Sequence, residues 1–476
     1  MKIKIENNFR TKTSRELLLL TIIVFLVNQL PLITNARPVM YDEAWYANTA
    51  YNFSIGEGFL NSVVGSGGNA NFLLPMLTGI MFRIFGYSLF TIRFTAVLCG
   101  VATLFFIHKS MREMKSSIYA EIAVYMFFVS VALYNTIFRF GRPECASIMC
   151  LAGGIWLFLR YLRTESLGDI IGLSCFAFLS AIAHPYALLF FAIVGVVLFF
   201  RLIKRKRWIN LAHLAVLMAA AILAIASISY ISVLYNGTWA ESVGARFSMS
   251  NIHQALPIYL ENYFISKHAM YMLPILIVIL WCCRNSTESI RLLACIAIAY
   301  FIIFPFLFST DLAMIGLGGD YIALIGTILI ATCADLIREG RYRKLIGILF
   351  VVYCLGNIGI SYFYNYKVKY EKCNTILQED FQSIIPKDAI VYCPIRQYPM
   401  ILENRCYSDH YRKELPSSYD YIIMNSQDAD KYENSIEIQK ILDDYEIISE
   451  WNTKQYGIVK LYKNTLDSKS QHDNPF

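Results

Sequence analysis

Apolar runs about as long as a membrane is thick recur along most of the chain, and they constrain the fold more than any other feature. A helix of about twenty residues crosses roughly 30 Å of hydrocarbon, and most runs have about that length. Because 57% of the residues are hydrophobic and 16% are charged, the composition is atypical of a water-soluble domain. We therefore predict a polytopic α-helical membrane protein, since barrel strands would be shorter than these runs. About eleven transmembrane helices are expected, near 17-34, 89-108, 118-138, 145-162, 169-184, 186-203, 211-234, 269-283, 290-308, 317-336 and 344-363.

Basic residues cluster in every second loop between these runs, beginning with the N-terminal arm from Lys2 to Arg15. Cytoplasmic loops are enriched in Lys and Arg, so the pattern places the N-terminus in the cytoplasm. The first run has no small-residue cleavage pattern after it, so we expect a retained anchor. The net charge of +7 follows from this topology, and no nucleic-acid partner is expected. The outer face would carry residues 35-88, 139-144, 184-186, 235-268 and 309-318.

The composition changes sharply after residue 363, which divides a transmembrane catalytic module, 1-363, from a tail. An odd number of spans leaves the tail on the outer face, where we predict a small extracytoplasmic α/β domain over 364-465, followed by a disordered end, 466-476. Strands are predicted at AIVYC (389-393), YDYIIM (419-424) and YGIVKLY (456-462), and a helix at SIEIQKILDDY (435-445). A disulfide among Cys373, Cys393 and Cys406 is left open.

Two adjacent carboxylates, Asp42 and Glu43, stand in the first outer loop, 35-88. The segment EAWYANTAYNF that starts at Glu43 has aromatic residues such as Tyr46 at spacings that suit an amphipathic helix at the membrane surface, and a second such helix is expected from Pro75 to Phe85. Asp42 would then be the N-cap of the first helix, with Glu43 in its first turn. A purely capping role and a role in chemistry are both compatible with this position.

The second outer loop, FRFGRPECA, crowds Arg139, Arg142 and Glu144 at the membrane boundary. Lipid would not tolerate these charges, so they must face protein or a wet cavity. A local ion pair anchoring a tight turn, with Pro143 at the first position of the next helix, is the structural alternative. His184 in SAIAHPYALLFF marks either a re-entrant turn or a substrate contact. Weaker candidates lie in later outer loops: Arg246, Lys267 and Asp320.

Carboxylates and cations at one membrane face suit a reaction at a phosphate that sits among lipid headgroups, as in a sugar linked to a polyprenyl phosphate. Cations such as Arg139, Arg142, Arg246 or Lys267 could stabilise the phosphate leaving group. A carboxylate such as Asp42 could take the proton of the attacking acceptor. The apolar spans would hold the isoprenoid chain.

The motifs MYDEAWYANTAYN, FRIFGYSLFTIRF (82-94) and FRFGRPE, in this order, resemble the GT-C superfamily of membrane glycosyltransferases, in particular the protein O-mannosyltransferase and lipid A aminoarabinose transferase group. The resemblance implies Asp42 as catalytic base, Glu43 beside it, and Glu144 with Arg142 as the contribution of the second loop. It also implies a dolichyl- or polyprenyl-phosphate-linked sugar as donor and a bacterial inner membrane as location.

These features together predict an inverting transferase that moves one sugar to a glycan, lipid or protein on the extracytoplasmic face. No cofactor is required, although Asp42, Glu144 and His184 would allow a divalent metal ion. The Lys-Gly element of aminoarabinose transferases is replaced here by His184 and Pro185, so a different sugar or acceptor is expected. The alternative is a secondary transporter or lipid flippase, which would place ionisable groups near mid-bilayer rather than at one surface.

Overall fold

The computed structural model describes residues 2–35, 37–65, 71–205, 211–234, 269–307, 312–338, 343–369 and 373–465, with residue 340 and a few residues between 257 and 265. Arg246, Lys267 and the end predicted to be disordered, 466–476, lie outside this part. Each predicted apolar run is largely helical, although the run 118-138 contains two helices. The helices are Lys2–Gln29, Tyr41–Ile55, Leu73–Phe85, Leu89–Glu113, Ile118–Ser130, Ala132–Ile137, Pro143–Thr164, Leu167–Ala183, Ala187–Arg205, Leu211–Leu234, Ala269–Asn285, Glu288–Leu307, Leu312–Arg338, Arg343–Lys369, Cys373–Ile384 and Glu433–Gln439.

Within the described residues, 7 helices are long and apolar enough to cross a membrane. Shorter apolar helices, Ile118–Ser130, Leu167–Ala183 and Tyr271–Asn285, occupy further positions predicted to be spans. The run 118-138 is divided because Val131 has an extended backbone, with ψ 126°, between two helices. The membrane module is thus a bundle of helices, many of which expose Leu, Ile, Val and Phe on their outer faces as lipid contact requires.

The tail folds into a five-stranded sheet with helices, which confirms the small α/β domain. Its strands are β1 (Ile390–Cys393), β2 (Arg405–Ser408), β3 (Tyr421–Asn425), β4 (Tyr445–Thr453) and β5 (Gly457–Asn464), in the order β2-β1-β3-β5-β4. β1 is parallel to β2 and β3, whereas β5 is antiparallel to β3 and β4. The segment predicted as a helix at 435-445 gives only the short helix Glu433–Gln439 before β4 begins. Among the described residues, no disulfide bond joins Cys373, Cys393 or Cys406.

The tail and the first outer loop share one hydrophobic core, although several hundred residues separate them in sequence. A single cluster of buried side chains contains Val39, Ala44 and Trp45 from the loop together with Leu377 and Val459 from the tail. The Ser408 backbone amide donates to the Val63 carbonyl oxygen (3.1 Å), and Asn48 Nδ2 donates to the Tyr398 hydroxyl (2.7 Å). The two segments therefore lie on the same side of the membrane, as an odd number of spans requires.

The first-loop helix, Tyr41–Ile55, differs from the predicted interfacial helix because residues 43–50 are all buried. The tail covers the face that would otherwise meet water or headgroups, so the helix belongs to the shared core. The second loop helix, Leu73–Phe85, does have one exposed apolar side, with Ile84 64% and Phe85 55% exposed, and one buried side that includes Phe82. Its exposed side suits contact with lipid.

Candidate active site

One guanidinium group joins the acids of the first and second outer loops. Arg142 Nη2 lies 3.0 Å from Asp42 Oδ2 and 2.7 Å from Glu144 Oε1, so the two carboxylates share one nitrogen. The Asp42 side chain is 47% exposed, whereas that of Glu144 is 8% exposed. The structure therefore brings together three of the predicted site residues, with one carboxylate open to solvent and the other beneath it.

Two helix starts aim these carboxylates. Met40 is the N-cap of the first-loop helix, so Asp42 lies inside the first turn and is not the predicted N-cap. Helix Pro143–Thr164 begins at Pro143, whose fixed φ suits the first helical position, and Glu144 follows it. The positive ends of both helix dipoles favour carboxylates at these positions. The site is therefore built where two helix N-termini meet.

Tyr46 stands one turn after Asp42 on the same side of the first-loop helix. Its hydroxyl accepts a hydrogen bond from Asn71 Nδ2 (2.8 Å). Burial raises the pKa of the Tyr46 phenol, and the nearby Asp42 carboxylate adds to the rise. The phenol therefore stays neutral at physiological pH and keeps a proton that it can donate toward the carboxylates or a ligand.

Helix Leu312–Arg338 adds a third carboxylate and an aromatic wall. Asp320 is buried and interacts electrostatically with Glu144 and Arg142. The next residue, Tyr321, has its hydroxyl 2.7 Å from Ser147 Oγ, one turn after Glu144. The weak sequence candidate Asp320 thus belongs to the same cluster as Asp42 and Glu144.

His184 ends helix Leu167–Ala183 in an extended conformation and is buried. Its ring lies 4.6 Å from that of Tyr186, centroid to centroid. Tyr300 continues this aromatic surface toward the carboxylates, because its hydroxyl donates to the Tyr186 carbonyl oxygen (3.4 Å) and its ring lies 5.6 Å from that of Tyr321. The aromatic residues Tyr186 and Tyr300 therefore connect His184 to Tyr321, beside the carboxylate cluster.

Glu43 faces away from Asp42, into the protein. Its carboxylate forms a bidentate ion pair with Arg93, with Arg93 Nε 2.8 Å from Oε1 and Nη2 2.9 Å from Oε2. Both side chains are 0% exposed. Arg93 Nη1 also donates to the carbonyl oxygens of Ile33 and Thr34 (2.8 and 2.9 Å). Glu43, which the sequence analysis named as catalytic, is thus held in a closed ionic lock between the first loop and the first two spans. This geometry suits a positioning role.

Gly141 connects the second outer loop to the Glu43–Arg93 ion pair. Its backbone amide donates to Glu43 Oε1 (3.1 Å). A Cβ atom at this position would lie 2.2 Å from Ile92 Cγ2, far inside contact distance. Only glycine lets the loop approach closely enough to place the next residue, Arg142, beside Asp42. The four residues of the GRPE sequence thus have successive roles. Gly141 allows the close approach, Arg142 bridges the carboxylates, and Pro143 starts the helix that carries Glu144.

Arg139 is turned toward the first span and not toward the carboxylates. Its Nε donates to Gln29 Oε1 (3.0 Å) and its Nη2 to the Asn28 carbonyl oxygen (2.9 Å), and the residue is 5% exposed. These bonds satisfy groups at the C-terminal end of helix Lys2–Gln29. The expected contact between Arg139 and a donor phosphate finds no support in this position.

The cluster leaves buried hydrogen-bonding capacity unused. Glu144 Oε2 and Arg142 Nε are buried and have no hydrogen-bond partner among the residues that the structure describes. A buried polar atom without a partner costs about 1–3 kcal/mol, so such atoms mark places where a bound molecule completes the network. Burial disfavours charge on Arg142, but the Glu144 and Asp42 carboxylates outweigh it and raise the pKa of the guanidinium. Arg142 therefore stays charged.

The metal question concerns Asp42 and Glu144. Among the described residues, no three His, Cys, Asp or Glu side chains are grouped closely enough to bind a metal ion. The space between the two carboxylates is taken by the Arg142 guanidinium. A cation bound by both acids would have to displace it.

Comparisons with known proteins agree with this architecture. Residues 70–230 match the sequence model of a family described as dolichyl-phosphate-mannose-protein mannosyltransferase. A crystal structure of ArnT from Cupriavidus metallidurans bound to undecaprenyl phosphate superposes with a TM-score of 0.62 at 11% identity, covering 93% of this chain and 97% of that chain. The apo structure of the same ArnT gives 0.62 and 11%, covering 96% and 99%. A comparison with curated protein sequences gives no significant match. The chain therefore shares its fold with this ArnT, and residues 70–230 resemble the mannosyltransferase family.

Proposed function

We propose that this membrane protein of GT-C architecture is an inverting glycosyltransferase that moves one sugar from a polyprenyl-phosphate-linked donor to an acceptor on the extracytoplasmic face of a bacterial inner membrane. The observation that carries the proposal is the pair of carboxylates, Asp42 and Glu144, held by one Arg142 nitrogen where two outer loops meet. One carboxylate is accessible for proton transfer, and the other is buried with a free oxygen for binding.

The donor class follows from the surroundings of the site. The membrane-spanning helices offer an apolar surface for an isoprenoid chain, and an ArnT with the same fold was crystallised with undecaprenyl phosphate. Arg139 donates to Gln29 and Asn28, whereas Arg142 keeps one buried N–H without a partner among the described residues. We therefore propose that Arg142 contacts the phosphate together with Arg246 and Lys267 of the segment 235–268. Cations there would stabilise the charge that develops on the leaving phosphate.

The proposed reaction uses Asp42 as general base. An acceptor hydroxyl attacks the anomeric carbon from the face opposite the phosphate, its proton passes to an Asp42 oxygen, and the carbon–oxygen bond to phosphate breaks. The bonding electrons leave with the polyprenyl phosphate, so the configuration inverts. Glu144 accepts a hydrogen bond from a donor-sugar hydroxyl through Oε2, and its negative charge favours the positive charge that develops on the sugar ring. Tyr46, kept neutral by burial, donates a hydrogen bond to a sugar oxygen.

The test is complementation with point variants in a strain that lacks this protein. Mass spectrometry of glycolipids and glycans identifies species lost in the deletion. Wild type should restore them, and Asp42→Asn should not, because the amide cannot accept the proton. Asp388→Asn, an exposed tail carboxylate, is the matched control and should restore them. Binding of undecaprenyl phosphate by purified Asp42→Asn should equal that of wild type, which separates lost chemistry from lost folding.

A transporter or flippase remains the alternative, and the same variants discriminate it. A flippase needs no base at this carboxylate, so restoration of the missing species by Asp42→Asn would refute the proposed enzyme. Accumulation of the unmodified acceptor in the deletion strain, with none of the sugar-modified product, would favour transfer over transport.

A further inference from the structure

A second group of polar and aromatic side chains lies beside Asp42, where the tail meets the first-loop helix, and nothing in the proposed transfer chemistry uses it. The His410 ring is held between Tyr41 and Tyr432, with centroid distances of 4.4 and 4.3 Å. Tyr41 directly precedes Asp42, and His410 and Tyr432 belong to the tail. The two tyrosine rings are tilted by 59° and 55° to the imidazole, so the three rings do not form a parallel stack.

The His410 ring is fixed in one orientation. Asp409 Oδ1 lies 2.9 Å from His410 Nδ1, and the same oxygen accepts the Ile395 backbone amide (2.9 Å). The Asp409 side chain is 1% exposed, whereas that of His410 is 23% exposed. The buried carboxylate holds the ring in place through Nδ1, and Nε2 is the other ring nitrogen that can meet a ligand. Such a second-nitrogen bond is what holds a ligand-binding imidazole in place.

The surface continues along the first-loop helix. Trp45 stands one turn after Tyr41, with the two rings 5.6 Å apart, and the Arg412 guanidinium of the tail lies 5.6 Å from the Trp45 ring. Trp45 is 7% exposed, yet its Nε1–H donor is buried and has no hydrogen-bond partner among the described residues. Such a donor, beside aromatic rings, an oriented imidazole and a guanidinium, is available to a bound polar molecule.

We infer that Tyr41, Trp45, His410, Tyr432 and Arg412 bind a sugar residue of the acceptor, so that the acceptor is a glycan or glycolipid. The inference rests on the proposed function and adds the acceptor class to it. Aromatic rings cover the apolar faces of a sugar ring, while the imidazole, the indole N–H and the guanidinium supply acceptor and donors for its hydroxyl groups. Tyr41 interacts electrostatically with Asp42 as well as with Asp409 and Arg412, so the proposed surface borders the base.

The experiment measures binding of an oligosaccharide array to the full-length protein in lipid nanodiscs. Wild type should bind a subset of glycans, and His410→Asn and Tyr432→Ala should each weaken that binding by about tenfold. The asparagine amide can still donate to Asp409, so His410→Asn removes the ring while preserving the local fold. His213→Ala is the matched control, because this histidine also contacts a tyrosine, Tyr161, but lies far from the tail.

The inference is overturned if wild type binds no glycan, if it binds Ser- and Thr-containing peptides in preference to glycans, or if both variants bind like wild type. Binding of undecaprenyl phosphate is measured on the same samples. If wild type does not bind undecaprenyl phosphate, the proposed function is rejected. If it binds undecaprenyl phosphate but shows no glycan selectivity, only the acceptor assignment is rejected.

Discussion

Replacing either of the two adjacent acids should affect different properties of the protein. Glu43→Gln leaves the Arg93 guanidinium buried without its counter-charge. Breaking a fully buried ion pair costs about 3–5 kcal/mol, because the remaining charge stays desolvated. Asp42→Asn breaks a pair in which the carboxylate is 47% exposed, and exposed pairs contribute only about 0–1 kcal/mol. We therefore expect Glu43→Gln to lose stability and Asp42→Asn to lose turnover.

The assay is thermal unfolding of the purified protein in one detergent, with donor turnover measured on the same samples. One kcal/mol shifts the midpoint by about 2–4 °C for a unit of 150–250 residues, so Glu43→Gln should lower it by roughly 6–20 °C. Asp42→Asn should shift it by less than about 4 °C. A second substitution, Arg93→Met on the Glu43→Gln background, removes the stranded charge and should recover part of the loss.

The result that would refute this reasoning is a Glu43→Gln protein that unfolds like wild type but has no turnover. It would mean that Glu43 takes part in the chemistry directly. A double variant less stable than the single one would likewise contradict the view that the unpaired Arg93 charge is the source of the loss.

Three further outcomes are expected. Gly141→Ala forces a Cβ atom to within 2.2 Å of Ile92 Cγ2, so it should lower the free energy of unfolding by about 1–3 kcal/mol. Ile92→Ala on the same background should recover part of this loss. An unchanged unfolding midpoint would contradict the close approach. Tyr46→Phe removes a phenol whose pKa burial raises above its ordinary value, so turnover should fall while the alkaline limb of the pH–rate profile stays where it is; a shift of that limb would mean that Tyr46 titrates within the working range. Turnover should persist after dialysis against a chelator, because Arg142 already bridges the two carboxylates, and restoration by added Mg²⁺ or Mn²⁺ after a loss would disprove this.

The membrane module was predictable because its signal is physical and repeated. Each span needs about twenty apolar residues, and the predicted runs are helical at their expected positions, with only 118-138 divided into two helices. The strands β2 and β4 escaped prediction for the opposite reason. β2 has 4 residues, and β4 alternates its exposure with charged and polar residues, so neither has a distinctive apolar pattern. Pairing with distant strands, not local sequence, gives them their structure.

The site residues were predictable as a group, but not by role. Asp42 and Glu43 are neighbours in sequence, yet successive residues of a helix point about 100° apart. One therefore meets Arg142, and the other meets Arg93. Arg93 itself carried a signal, because it is an ionisable residue within the span 89-108 and such residues seldom lack a partner. No sequence pattern could have paired His410 with Tyr41, since that contact depends on how the tail seats on the loop.

The common core of the tail and the first loop ties the assembly of the site to the end of synthesis. The Val39 backbone amide donates to the Tyr456 hydroxyl (2.8 Å), which in turn donates to Asn374 Oδ1 (2.8 Å). β5, which follows Tyr456, lies inside the sheet between β3 and β4. At about 5–20 residues per second, the ribosome needs on the order of 20–90 seconds after making the first loop to deliver that strand. The first loop therefore has no partner until every later span has been made, so a chain that stops before β5 has its membrane helices but an incomplete candidate site.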